Sequence, residues 1–267
     1  MTLLGQNTAI PQHYTPEVLD PIPRRLGRDT LGLDEASLPF HGEDVWNAWE
    51  LAWLDESGAA HAGVARLMLP CTSPNLIESK SLKLYLHSLN QHRFKTAQEL
   101  EATLVSDLSA VAGAGVAVEV LSLNSPLLGP TTLPGECIDS LPCSEFADAP
   151  SADLLRGSEG EGEQVLHSHL LRSLCPITAQ PDWATVIVRC SGGHLVPESL
   201  LDYINGYRQH QEFHEQCVER MYCDILQACK PATLSVQALY TRRGGLDINP
   251  FRSSEVVAAP RLRSIRQ

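Results

Sequence analysis

The chain has 267 residues, 43% of them hydrophobic, with a net charge of -12 and a pI of about 5.2. That is enough apolar material for one large domain or two of ordinary size. The acidic balance argues against direct nucleic-acid binding, which needs a basic stripe, and against anionic membranes. No run of about 18 apolar residues offers a membrane span, and Met1 to Arg28 is polar and proline-bearing, without an apolar signal core, so a cytoplasmic protein is expected.

In chain order, residues 1–40 read as irregular. Val45 to Asp55, with Trp46, Trp49 and Trp53, reads as a strand, and Ala65 to Leu69 as a second. Leu76 to Leu86 begins as a loop and continues as a helix. Thr96 and Glu99 have capping-box spacing and open a helix to about Ala112, ended by Gly113 and Gly115. Val116 to Leu123 is again strand-like. The acidic, glycine-rich stretch of about 147–163 reads as a linker. Cys175 and Asp182 then stand seven apart with Pro176 and Pro181 between them, which predicts a constrained loop rather than one helix face. The β-branched run Ala184 to Val188 predicts a strand behind that loop, and Glu215 to Gln227 predicts a helix.

The second half echoes the first. Ala65 to Thr72 aligns with Ala184 to Ser191 at an offset of 119, and Leu76-Ile77 meets Leu195-Val196 at the same offset. Two related units are expected: residues 1–147 with an irregular extension, a linker at 148–163, and residues 164–267. At that offset Cys175 and Asp182 fall on Glu56 and Gly63, and Lys80 falls near Leu200. The thiol–acid pair is thus peculiar to the second unit and the paired lysines to the first, which predicts chemistry in one and anion binding in the other.

Of the eight cysteines none forms a CxxC, and Cys217, Cys223 and Cys229 are too unevenly rotated on a helix to clamp a metal together. No metal site is expected. Lys80 and Lys83 can point together at a helix start whose first amides add an anion site. Arg242-Arg243-Gly244-Gly245 suits a phosphate, with bidentate arginine and close backbone approach. Glu215, after Phe213 and His214, is a carboxylate able to accept two hydrogen bonds from a guanine-like ring.

Glu78-Ser79-Lys80-Ser81-Leu82-Lys83-Leu84-Tyr85, Cys175-Pro176 through Gln180-Pro181-Asp182, Phe213-His214-Glu215 and the run Arg242 to Pro250 together resemble the nitrile-reducing 7-cyano-7-deazaguanine reductases in their long, two-unit form. The resemblance implies an α+β fold of tandem tunnelling-fold (T-fold) units, antiparallel sheets with helices on one face. It implies NADPH as reductant, a deazapurine substrate, a homodimer and a step of queuosine biosynthesis. Cys175 and Asp182 are then the catalytic pair. Ile77, Glu78, Ser79, Phe213, His214 and Glu215 hold substrate, and Ser79, Lys80, Lys83, Arg242, Arg243 and Gly244 contact the cofactor. A zinc-dependent cyclohydrolase-like enzyme, with two thiols and a histidine converging, and a non-catalytic purine- or pterin-binding module are the competing expectations.

Overall fold

Two long β-hairpins frame the fold, each built from runs whose apolar residues are buried against a helix layer. The structure, a computed structural model, describes residues 10–143 and 147–267. Residues 1–9 and 144–146, which belong to the expected extension and to the end of the first expected unit, lie outside the described residues. The first half runs β1 (Pro21–Pro23), α1 (Arg25–Arg28), the hairpin β2 (His41–Leu54) and β3 (Ala60–Pro70), then β4 (Asn75–Ile77), α2 (Ser79–Ser88), α3 (Ala97–Ala112) and β5 (Ala117–Leu121). After the two-residue strands β6 (Glu136–Cys137) and β7 (Gly157–Ser158) comes the hairpin β8 (Glu163–Leu174) and β9 (Pro181–Ser191). The chain continues through β10 (His194–Leu195), α4 (Pro197–Asn205), α5 (His214–Cys229), β11 (Thr233–Tyr240) and β12 (Leu246–Ser253).

Among the described residues one eight-stranded sheet takes the order β5-β3-β2-β12-β11-β9-β8-β6, antiparallel except for β6 against β8. The halves therefore meet strand to strand, where β12 pairs β2 from Leu246 opposite Ala48 to Ser253 opposite His41. Both hairpins carry a bulge, between Ala48 and Leu51 in β2 and between Ser168 and Leu171 in β8. These bulges, and the strand ends Leu54 and Leu174, align at an offset of 120. Cys175 thus stands where Asp55 stands, one residue from the Glu56 that the offset of 119 suggests. The first strand residues Ala60 and Pro181 bring Asp182 onto His61 rather than Gly63.

Helix ends follow local chemistry. Thr96 Oγ1 accepts from the Glu99 N–H, and Gly113, at φ +70°, closes α3. The second arm of the expected capping box differs, because Glu99 reaches past Thr96 to the Lys95 N–H. Two apolar cores form. One packs Trp46, Leu67, Leu100, Leu104, Leu246 and Ile248; the other packs Val188, Val236, Leu201, Tyr203, Val218 and Tyr222. In β12, Ile248 and Arg252 share a face by the period of two, and Arg252 lies opposite Val236, so both cores lie on one face of the sheet.

The seam between the cores is ionic. Arg24 reaches Asp44 at 2.5 Å, Arg252 bridges Asp44 and Glu219 at 2.8 Å each, and Arg28 meets Glu219 at 2.8 Å. Burial pushes both carboxyls up, but the guanidiniums beside them outweigh it and hold Asp44 and Glu219 below the ordinary range. The N-terminal segment, which offered no motif, supplies two of these three arginines.

Candidate active site

The hairpin tip between β8 and β9 is the residue run 175–180, closed by Cys175 N–H to Gln180 O and Ala179 N–H to Cys175 O, both 2.9 Å. Ala179 takes φ +55°, a left-handed conformation uncommon outside glycine. The turn points amides back at its first side chain. Burial pushes the Cys175 thiol up, but the Thr178 hydroxyl, the backbone N–H groups of Thr178 and Ile177, and Arg243 all bond the sulfur and draw it below the ordinary value. The other thiols with a clear shift go the opposite way: burial raises Cys71, Cys217 and Cys229, Cys190 to about 11 and Cys223 to about 12.

Asp182 belongs to β9 rather than to the loop, and is 7% exposed. Its Oδ1 lies 2.9 Å from Arg243 Nη1 and its Oδ2 3.2 Å from His214 Nε2. The His214 ring stacks on Tyr240 with centroids 3.8 Å apart. His214 opens α5, and Glu215 follows on that first turn. Glu215 is 3% exposed, and its Oε1 has no hydrogen-bond partner. Burial, with the Asp44 charge nearby, pushes its carboxyl up to about 6 against the pull of His214 and Arg24. Glu219, one turn on along the same helix face, anchors α5 in the buried ionic seam and so fixes where Glu215 points.

These groups share a cavity of about 460 Å³, within the roughly 300–1,000 Å³ of small-molecule sites. Ile77, Glu78, Ser79, Lys80 and Lys83 line it from the first half; Cys175, Asp182, Phe213, His214, Glu215, Arg243 and Gly244 line it from the second. Every residue the sequence suggested for the site is therefore at this cavity except Arg242, whose guanidinium lies over the Trp49 ring at 4.2 Å. Glu78 caps α2, its carboxylate accepting from Lys80 N–H at 2.9 Å and Ser81 N–H at 2.6 Å. The helix-start anion site expected there is thus satisfied from within the chain. Sequence reasoning gave no site role to Ile22, Trp46, Leu76, Pro176, Ile177, Thr178, Gln180, Glu212 or Ile248, which also line it. Pro176, Gln180 and Ile248 stood within the quoted motifs, and Thr178 carried a signal as a hydroxyl three residues beyond the cysteine.

The rim is cationic. Lys83 is pulled below the ordinary lysine range by burial and by Arg243, against the opposing pull of Glu78 and Asp182. A Cβ at Gly244, where φ is +60°, would approach the Lys83 side chain to 2.9 Å, so glycine keeps this rim open. A second cavity of about 200 Å³ shares Lys83 and Gly244 with the first. The zinc alternative needs two thiols and a histidine together. Among the described residues the group of possible metal ligands is Cys137, His167 and His169, one thiol and two imidazoles, none of which lines the cavity.

A family model described as "Nitrile reductase, 7-cyano-7-deazaguanine-reductase N-term" matches residues 10–120, and one described as "QueF-like protein" matches residues 181–258. A protein of Chromohalobacter salexigens named NADPH-dependent 7-cyano-7-deazaguanine reductase is 50% identical over 251 residues, 94% of this chain and 91% of its own. One of the same name from Stenotrophomonas maltophilia is 51% identical over 259 residues, 96% of this chain and 94% of its own. Among solved structures, an archaeosine synthase QueF-Like in the apo form is similar at 20% identity and a TM-score of 0.32, covering 38% of this chain and 99% of that one.

Proposed function

This chain belongs to the 7-cyano-7-deazaguanine reductase family, and from that membership we propose that it is an NADPH-dependent nitrile oxidoreductase. It reduces the nitrile of 7-cyano-7-deazaguanine to the aminomethyl group through a covalent Cys175 thioimide, as a step of queuosine biosynthesis. The observation that carries this is a single cavity holding both a thiol drawn toward thiolate and a buried carboxylate with an open oxygen.

A nitrile accepts hydride poorly, and a thioimide accepts it more readily. Cys175 adds to the nitrile carbon while Asp182 takes the thiol proton and returns it to the nitrile nitrogen. Hydride at the carbon with a proton at the nitrogen gives a thiohemiaminal, loss of the thiolate and of one nitrogen proton gives an imine, and a second hydride with a further proton gives the amine. NADPH, when bound, supplies both hydrides, so two are oxidised per nitrile. His214 and Arg243 hold the Asp182 carboxylate from either side and fix its direction. Glu215 accepts the ring N–H donors of the deazaguanine, with Phe213, Ile77, Glu78 and Ser79 closing round it. Lys80, Lys83, Arg243 and Gly244 form the cofactor rim; the open glycine and the cations there suit a polyanion that must approach an acidic protein. Arg242, held on Trp49, is dropped from that set.

Two tunnelling-fold units, the homodimer and the absence of direct nucleic-acid contact belong to this same proposal. The recurrence of bulged hairpin, two helices and strand in each half supports the two units. Among the described residues no helix is long and apolar enough to cross a membrane. The test is NADPH oxidation on adding 7-cyano-7-deazaguanine, with product mass measured. Two NADPH oxidised per aminomethyl product support the reading; no substrate-dependent oxidation overturns it.

A further inference from the structure

We infer that Cys137, His167 and His169 form a zinc site at the outer edge of the sheet, against the sequence expectation of none. The Cys137 sulfur and one ring nitrogen from each histidine lie within 4.8 Å of one another. The topology assembles them: β6 pairs parallel to β8 with Cys137 directly opposite His167, and the His167 and His169 rings sit edge to face with centroids 5.5 Å apart.

The His167 imidazole is already oriented for a ligand role, and the His169 ring is held in place. His167 Nδ1 lies 2.9 Å from Pro134 O, and a carbonyl can only accept, so that nitrogen carries the proton and Nε2 keeps its lone pair. His169 Nδ1 is engaged by Thr185 Oγ1 at 2.8 Å, and Arg266 Nη2 also reaches that hydroxyl at 3.2 Å. Asp139 fastens the backbone between the ligands, its Oδ1 accepting from Ser168 Oγ at 2.7 Å and His169 N–H at 3.1 Å. Tetrahedral zinc has Zn–S of about 2.3 Å and Zn–N of about 2.0–2.1 Å, so one sulfur and two nitrogens around it stand roughly 3.3–3.6 Å apart. The required closure is at most about 1.5 Å, the scale of a side-chain adjustment at exposed Cys137. One thiolate with two imidazoles is a borderline-soft donor set that suits zinc over magnesium or calcium, and water completes four ligands.

The location gives the metal a task. The connection from β5 to β6 runs from one edge of the sheet to the other. Thr131 and Arg263 tie its middle by hydrogen bonds of 2.9 and 3.0 Å. Its far end rests on β6, a two-residue strand too short to hold by itself. A zinc shared between β6 and β8 clips that end and so clasps the two halves.

The test uses untagged full-length protein, demetallated and then titrated with zinc alone, read by metal content after gel filtration and by thermal unfolding. The parent, and equally Cys175→Ala, should retain one zinc per chain and melt at higher temperature with it. Cys137→Ser and His169→Ala should each bind at least about tenfold more weakly and lose the zinc-dependent rise. Cys137→Ser should keep its basal turnover. Cobalt in place of zinc should give a thiolate charge-transfer absorption that Cys137→Ser lacks. No retained zinc in the parent, equal retention in Cys137→Ser, or loss of zinc in Cys175→Ala each overturns the assignment.

Discussion

The two hairpin tips use one device for different ends. At the β2–β3 tip, Asp55 opens the turn and accepts from Ser57 N–H and Ala59 N–H, both 2.9 Å, with His61 Nε2 3.1 Å away. Those bonds, led by the Ser57 hydroxyl and His61, hold its carboxyl well below the ordinary range. At the β8–β9 tip, Cys175 stands at the equivalent position and collects the same kind of bonds from Ile177 and Thr178. An anion-stabilising turn is common to both. In the first half it is spent on a carboxylate in open water. In the second it lies under Arg243 and the rim of α2, around a thiol drawn below its ordinary value. Asp182 stands at the position of His61 on the following strand and meets Arg243 and His214 there. The two tips differ by substitution at these two positions of a shared turn, together with burial.

The comparison predicts a steep asymmetry. Cys175→Ala should cut nitrile-dependent NADPH oxidation by roughly 10³-fold or more, the scale for losing a nucleophile that acts with its neighbours as a unit. Asp55→Ala should leave turnover within about twofold, as for a surface change away from the chemistry. Comparable losses in the two variants would mean the tips are not divided in this way. Asp182→Asn keeps the shape of β9 and removes the titrating group, so turnover should fall by roughly 100-fold, while the unfolding midpoint moves little. Near-normal rates in that variant would remove Asp182 from proton transfer.

Glu215 sharpens the contrast through pH. Its carboxyl titrates at about 6, and only the ionised form accepts two ring N–H bonds. Substrate affinity should therefore be full above about pH 6 and decline as pH falls through it, one proton per site. Calorimetry in a Cys175→Ala background measures this without adduct formation. Glu215→Gln should bind more weakly by about 1–3 kcal/mol and show no such pH dependence. An unchanged pH profile in the variant would place the titrating group elsewhere. The smallest effect belongs to the turn: Thr178→Ala removes one bond to the Cys175 sulfur and should raise the pH midpoint of its alkylation by about one unit. An unmoved midpoint would leave the lowered thiol to Arg243 and the backbone.

Much of this was legible because it is local. Thr96 and Gly113 mark the ends of α3 through their own bonds and dihedrals, and the alternating apolar run around Trp46 and Trp53 foretold β2. The motif residues Glu78, Ser79, Lys80 and Lys83 and those from Phe213 to Glu215 reach one cavity, as their types suggested. What stayed hidden depends on register or on competition between neighbours. Arg24 and Arg28 look like surface charge until Asp44 and Glu219 are brought beside them from distant elements. Arg242 is carried out of the cavity by Trp49, which a basic dipeptide cannot reveal. The Lys80 and Ser81 amides are taken by the neighbouring Glu78. Cys137 faces His167 only through a parallel pairing thirty residues apart in the chain.

The most direct test is intact-mass measurement of the protein with 7-cyano-7-deazaguanine and no NADPH. One added substrate mass per chain is predicted, present in Cys71→Ala and absent in Cys175→Ala. An adduct that persists in Cys175→Ala, or none in the parent, would contradict the covalent route.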